Sequence, residues 1–271
     1  MRFRALIFDS GVGGLSVAAE IRQRLPLLAM DYVADDEFRP YGEKTAAQLK
    51  ARLPGLMSIL SDMLRPDVIV IACNTASTTA LGGIRSAVNV PVVGVVPAIK
   101  PAALATRTGT IAVLGTPGTV AREYVDDLIT DFAQGKEVLL QGSVNLVDIA
   151  EDKLAGRPID LDRIKAELAP LFSGRRGADI DAVVLACTHF PLLKEELKAA
   201  TAQSVQWIDS GEAIARRVES LLSKMTPVST TAPERHLARA DTAFLVGPQT
   251  NKERSAAFAR YGFTRVVALK P

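Results

Sequence analysis

Ten short, nearly continuous apolar runs recur along this chain: FRALIF, AMDYVA, DVIVIA, VPVVGV, GTIAVL, EVLLQ, DAVVLA, VQWI, TAFLV and RVVAL. Between them lie amphipathic stretches such as TAAQLKARLPGLMSILSDML and PIDLDRIKAELAPLF. A strand that is apolar on both faces must be covered on both faces, and a parallel neighbour requires a crossover helix. The alternation therefore predicts an α/β protein with mostly parallel sheets and helices on either side. The longest runs, VIVIAC, VVLAC and VVGVV, are far too short to span a bilayer. KMTPVSTTAPERHLARA, residues 224–240, reads as a long surface loop.

The chain has 271 residues, enough for one large domain or two modest ones. Its 32 basic and 30 acidic residues leave a formal charge of +2. Such a balance argues for neither nucleic acid nor an anionic membrane as a partner. The start, MRFRALIFDS, lacks the long apolar stretch and small-residue cleavage site of a signal peptide, so a cytoplasmic protein is expected.

Only two cysteines are present, which excludes a disulfide scaffold, and both occupy matched places. DVIVIAC ends at Cys73 and DAVVLAC at Cys187, each with an aspartate, Asp67 or Asp181, six residues before the thiol. Asn74-Thr75 comes directly after the first cysteine and Thr188-His189 after the second. Upstream, IFDSGVGG has a counterpart in AVLGTPGTV, which pairs Ser10 with Thr116. Two similar α/β units are implied, each placing one cysteine at the carboxyl end of a strand. Ligands bind there in parallel sheets, and the N–H groups of the next helix face the site. That setting binds carboxylates and lowers a thiol from its usual pKa of about 8.5.

Other roles for the cysteines fit less well. Buried, inert cysteine is the ordinary reading for a single residue, but not for a matched pair. Zinc could take Cys73, Cys187, His189 and His236, yet no C-x-x-C or H-x-x-x-H spacing exists. A single nucleophile with His189 as its base leaves the second thiol unexplained. Nor is IFDSGVGGLSV a dinucleotide fingerprint, since counting from Gly11 puts Ser16 where the third glycine belongs. The alternative is that Asp9 and Ser10 stand at the strand end, while the glycines turn the chain and offer N–H groups to a small anion.

Several motifs resemble those of the glutamate racemases of the aspartate/glutamate racemase superfamily: FDSGVGGLSV, RPYG at 39–42, ACNTAS at 72–77, GVVPAIKPA, LGTPGTV, LACTHFPLL at 185–193 and DSGEAIARR. They cover nearly the whole chain in the family's order. The resemblance implies two three-layer α/β domains related by a pseudo-twofold axis, with the active site in the cleft between them. The first would hold residues 1–96 and 210–271 and carry Cys73; the second would hold 97–209 and carry Cys187. It implies interconversion of L- and D-glutamate without cofactor or metal, supplying D-glutamate to peptidoglycan, and a homodimer. It leaves room for DNA gyrase as a protein partner, which the residues themselves do not support.

By resemblance, Cys73 and Cys187 would be the two proton donor/acceptors, assisted by Asp9 and His189 respectively. A pair is needed because inversion requires a proton source on each face of the substrate. Ser10, Asn74, Thr75, Thr116 and Thr188 would hydrogen-bond the substrate, Tyr41 and Gly42 would close on it, and Glu151 would support the site. The plainer alternatives are that Asp9 caps the next turn, Tyr41 packs, His189 satisfies a backbone carbonyl, and Asn74 and Thr75 cap a helix. Two stretches depart from the usual family pattern: the order Phe38-Arg39, and GSVNLVDIAE before Glu151 in place of a Cys-Pro. Aspartate racemases tend to carry Glu where His189 stands, which favours glutamate as the substrate. An aspartate or hydantoin racemase, or a non-catalytic small-acid binding or regulatory protein on the same fold, is the alternative.

Overall fold

A computed structural model describes residues 3–225, 240–247 and 252–269. Most of the stretch expected as a surface loop, including His236, lies outside the described residues. The described residues form two compact units, one up to Val95 and again from Gly211 onward, the other Val96–Ser210.

The first unit begins β1 (Arg4–Asp9), α1 (Leu15–Arg24), β2 (Ala29–Ala34), α2 (Ala46–Leu64), β3 (Val68–Ile71), α3 (Asn74–Ala87), β4 (Val92–Gly94). The second runs α4 (Ile99–Ala105), β5 (Thr110–Gly115), α5 (Pro117–Val120), α6 (Glu123–Phe132), β6 (Glu137–Gly142), α7 (Asn145–Leu154), α8 (Leu161–Phe172), β7 (Ile180–Leu185), α9 (Lys194–Ala200), β8 (Gln206–Ile208). The chain returns to the first unit with α10 (Gly211–Leu222), β9 (Thr242–Val246), α11 (Lys252–Arg260) and β10 (Arg265–Leu269).

Both sheets are parallel throughout. The first has strand order β10-β9-β2-β1-β3-β4 and the second β6-β5-β7-β8, so the four-strand block β2-β1-β3-β4 is repeated as β6-β5-β7-β8. Alternation along each strand sends side chains to two covered faces. In the first sheet Leu6, Phe8, Ile69 and Ile71 pack with Leu49, Leu53 and Met57 of α2 and Ala80 and Ile84 of α3. The intervening Tyr32 of β2 meets Phe258 of α11 edge-on, ring centroids 5.2 Å apart, on the other face. In the second sheet Leu114, Val183 and Leu185 pack against α7, α8 and α9, while Ile111, Val113 and Val184 pack against α4 and α6. Each unit is thus helix, sheet, helix in section. Among the described residues no helix is long and apolar enough to cross a membrane.

The repeated aspartates have a structural task at the opposite strand ends. Asp67 accepts the Arg4 N–H at 2.7 Å, latching the start of β1. Asp181 accepts from Thr106 Oγ1 at 2.5 Å and from the N–H groups of Arg107 and Thr108 at 2.8 and 3.2 Å, latching the turn into β5. Burial alone would raise the Asp181 pKa, but these hydrogen bonds outweigh it and hold the carboxyl below its usual range. A folded pKa below the unfolded value of about 3.9 adds stability that is complete above that value and is lost as pH falls through the folded one. Asp181→Asn is therefore expected to lower the thermal midpoint at neutral pH, with the gap closing as pH falls below about 4. A gap that stays constant down to about pH 2 would contradict this origin.

Candidate active site

Register places each cysteine against a hydroxyl residue. Phe8 pairs with Ile71, and the Ala72 N–H donates to the Phe8 carbonyl at 2.7 Å, so Ser10 and Cys73 leave their strands side by side. Leu114 pairs with Leu185, and the Ala186 N–H donates to the Leu114 carbonyl at 2.8 Å, so Thr116 and Cys187 do the same. Both cysteines are buried thiols outside any disulfide.

In the first unit Cys73 is the N-cap residue of α3. Its thiol therefore sits at the positive dipole end of a 14-residue helix, a setting that favours negative charge, although the side chain makes no capping hydrogen bond to the helix N–H groups. The thiol donates to Ser10 Oγ at 3.7 Å. Asn74 and Thr75 are the first two residues inside the helix, so neither is its cap, contrary to the plainer alternative. Both are buried, and among the described residues nothing pairs with Asn74 Oδ1. A buried carbonyl oxygen of this kind suits an incoming N–H donor, such as an ammonium group.

Asp9 closes β1 and is fully buried; its Oδ2 accepts the Gly11 N–H at 3.0 Å. The capping reading of Asp9 is therefore real, and the Gly11 N–H is turned inward rather than offered to an anion. Tyr32 seals the loop by donating from its hydroxyl to the Gly11 carbonyl at 2.9 Å. Burial, then the charges of Asp9 and Cys73, push the Tyr32 phenol well above its ordinary range, so it stays a donor. None of the loop glycines is in the left-handed region; Gly14 is demanded by space, since a Cβ there would lie 2.8 Å from Tyr32 Oη and 2.9 Å from the Cβ atoms of Ala72 and Asp9. Tyr41 and Gly42 open a short 3-10 turn, with the Tyr41 ring buried and its hydroxyl donating to Asp35 Oδ2 at 2.6 Å.

The second unit treats its thiol differently. No α-helix starts at Cys187; a turn comes next, then a 3-10 segment, Phe190–Leu193, then α9. The expected helix N-terminus is therefore absent on this side: an α-helix capped by Cys187 would need the N–H of residue 191 to reach the Cys187 carbonyl, and Pro191 has none. A titratable neighbour takes its place: Cys187 Sγ lies 3.9 Å from His189 Nδ1. The other ring nitrogen, Nε2, lies 3.7 Å from Glu151 Oε1 of α7. The histidine is thus within reach of the thiol for proton exchange, and the carboxylate, too far from the ring for a direct hydrogen bond, is near enough to favour the charged imidazolium. Lys153, on the same helix as Glu151, donates to the Leu192 carbonyl at 2.8 Å and fixes α7 to the segment after His189. Thr188 is buried beside them. The Thr116 hydroxyl is paired with that of Thr119 at 2.9 Å.

Three residues packed around the ends of β1 and β2 escaped the sequence reading: Tyr32 of β2, Asp35 just after it and Arg52 of α2. The legible signal for Tyr32 is a hydroxyl inside the AMDYVA run, whose other polar residue is Asp31. Asp35 and Arg52 carried no signal, because neither lies in a spaced motif. Among the described residues no group of three or more His, Cys, Asp or Glu side chains could hold a metal ion.

Residues 16–218 match the model of the Asp/Glu/Hydantoin racemase family. A glutamate racemase of Vibrio vulnificus (strain YJ016) is 50% identical over 230 residues, covering 85% of each chain. One of Sphingopyxis alaskensis is 52% identical over 216 residues, 80% of this chain and 81% of its own. Among solved structures, Escherichia coli glutamate racemase in complex with L-glutamate and the activator UDP-MurNAc-ala superposes with a TM-score of 0.90 at 40% identity, over 99% of this chain and 98% of that one. On these findings the chain belongs to the Asp/Glu/Hydantoin racemase family and is an isomerase.

Proposed function

We propose that this chain is a cofactor-independent glutamate racemase that interconverts L- and D-glutamate by two-base proton transfer, with Cys73 and Cys187 as the bases. The observation that supports it most is the matched placement of the thiols. Each lies just past the carboxyl end of the corresponding strand of a repeated sheet, and each has a group beside it that can stabilise or exchange charge. The relatives' activity and the L-glutamate held by the Escherichia coli protein support the choice of substrate.

In the proposed cycle one cysteine enters as thiolate and the other as thiol. The thiolate takes the α-proton from one face, and the thiol delivers a proton to the opposite face of the resulting carbanion. The helix N-terminus at Cys73 holds the anionic form on that side. On the other side His189 exchanges a proton with Cys187 while the nearby Glu151 carboxylate stabilises the imidazolium that results. Asn74 Oδ1 accepts from the substrate ammonium, and Ser10, Thr75, Thr116 and Thr188 surround the carboxylates. Asp9 assists the Cys73 transfer from its place at the end of β1. The product D-glutamate serves peptidoglycan synthesis, and the protein works in the cytoplasm as a homodimer.

Substrate is tested with dialysed, reduced protein and no added cofactor, offered L-glutamate, D-glutamate and L-aspartate separately and monitored by optical rotation. Rotation decaying to zero from both glutamate enantiomers is the expected result. Decay with aspartate alone would overturn the substrate, and no decay with any of the three would favour a small-acid binding protein.

A further inference from the structure

Tyr41 is held by residues that lie outside the stretch RPYG at 39–42. Its ring packs in the same buried cluster as Cys73. Its hydroxyl is given to Asp35, which is fully buried immediately after β2. The Asp35 N–H donates to the Asp9 carbonyl at 3.0 Å, so Asp35 hangs from the strand end that carries Asp9. Both of its carboxylate oxygens are gripped by Arg52 of α2, Nε to Oδ2 at 2.7 Å and Nη2 to Oδ1 at 2.7 Å. Arg52 in turn stacks over Phe38, 4.9 Å from the ring centroid, and Phe38 meets Tyr41 edge-on at 6.2 Å. Burial, then the Asp35 charge, drive the Tyr41 phenol far above the tyrosine range, so it stays protonated and able to donate to Asp35.

The second unit has a tie at the same place that does not reach a tyrosine. Ser143 comes just after β6 as Asp35 comes just after β2, its N–H donates to the Gly115 carbonyl at 2.9 Å, and its hydroxyl donates to Glu167 of α8 at 2.6 Å. A hydroxyl and a carboxylate suffice there to fasten a helix. The planar, two-pronged grip of Arg52 on Asp35 fixes direction as well as distance, Arg52 Nη2 also donates to Glu37 at 3.0 Å, and Asp35 in turn accepts from the tyrosine.

We propose that Asp35 and Arg52 are positioning residues for the racemase reaction, holding Tyr41 and the adjoining Gly42 backbone in place beside Cys73 so that this segment meets the substrate already ordered. The inference rests on the glutamate racemase reading. It assigns the Tyr41 hydroxyl to Asp35 and the buried ring to packing, and leaves the Gly42 backbone to face the substrate.

The test is a double-mutant cycle on Arg52→Lys and Tyr41→Phe in the full chain, with kcat and KM for both glutamate enantiomers and a thermal unfolding curve for each variant. Arg52→Lys keeps the charge and loses the fork. Each single variant is expected to raise KM about tenfold with kcat within about threefold, since an ordered binding segment serves ground and transition state alike. The double variant is expected to be no worse than the poorer single one, because both changes break one chain of contacts. Asp35→Asn is expected to raise KM and also lower the thermal midpoint, since it leaves the guanidinium with Glu37 as its remaining carboxylate. KM increases that multiply in the double variant would place the Tyr41 hydroxyl on the substrate instead. Unchanged KM in well-folded Arg52→Lys, with wild-type protein active, would overturn the positioning role alone. Wild-type protein without turnover of glutamate would overturn the substrate reading, and the positioning role with it.

Discussion

Cys73→Ala and Cys187→Ala are each expected to lower glutamate racemisation by at least about 10³-fold, the upper range for loss of a general acid–base group, while leaving the fold intact. Inversion at the α-carbon needs a proton acceptor on one face and a donor on the other, so one thiol cannot do the work of two. Alanine is small and apolar, and each cysteine lies just past the end of a strand rather than inside it, so the loss of the sulfur leaves the sheet hydrogen bonds in place. The serine variants are expected to be severely impaired as well, because a hydroxyl is a far weaker acid than a thiol. Near-normal turnover by either alanine variant, measured by circular dichroism, would remove the two-base mechanism.

Gly14→Ala is expected to be the most damaging single-methyl change near Cys73. The new Cβ would lie 2.9 Å from the Cβ atoms of Asp9 and of Ala72, the residue before Cys73, and 2.8 Å from Tyr32 Oη. Relief requires the glycine loop, the end of β1 or the end of β3 to move. Displacement of reacting groups by about 1 Å lowers rates on the order of 10²-fold, and overpacking of this kind costs about 1–3 kcal/mol of stability. Gly55→Ala in α2 is the control, since a Cβ there meets nothing within 4 Å. Wild-type kcat/KM and thermal midpoint in Gly14→Ala would show that the loop is not packed as tightly against Asp9 as these distances require.

Much of the fold was legible because parallel sheets write themselves as short two-sided apolar runs. Every one of the ten runs carries a strand, and the amphipathic stretches between them carry helices. Even Pro54 and Pro170 sit inside helices α2 and α8, as the unbroken amphipathic pattern around them implied. The matched cysteines were legible because the repeat is local, with aspartate, apolar run and thiol in one continuous segment. The backbone just past each thiol was harder to read. CNTAS and CTHFP look alike as small polar stretches, yet the first starts a 14-residue helix and the second a turn and a 3-10 segment. Pro191 was the available signal for that difference. The tie of Asp35, Arg52 and Tyr41 was hidden for a different reason. Its members meet through the packing of a strand end, a turn and a helix, and no spacing rule on one element relates them.

The most direct test of the central claim is the fate of the α-proton when L-glutamate is racemised in D₂O by dialysed, reduced protein. At early times the two-base mechanism predicts D-glutamate carrying deuterium at the α-carbon, with the unreacted L-glutamate still protiated, because the product's proton comes from the opposite thiol. D-glutamate that retains the substrate's own α-proton would mean that a single base carries it between faces, and the account of Cys73 and Cys187 as a pair would fail.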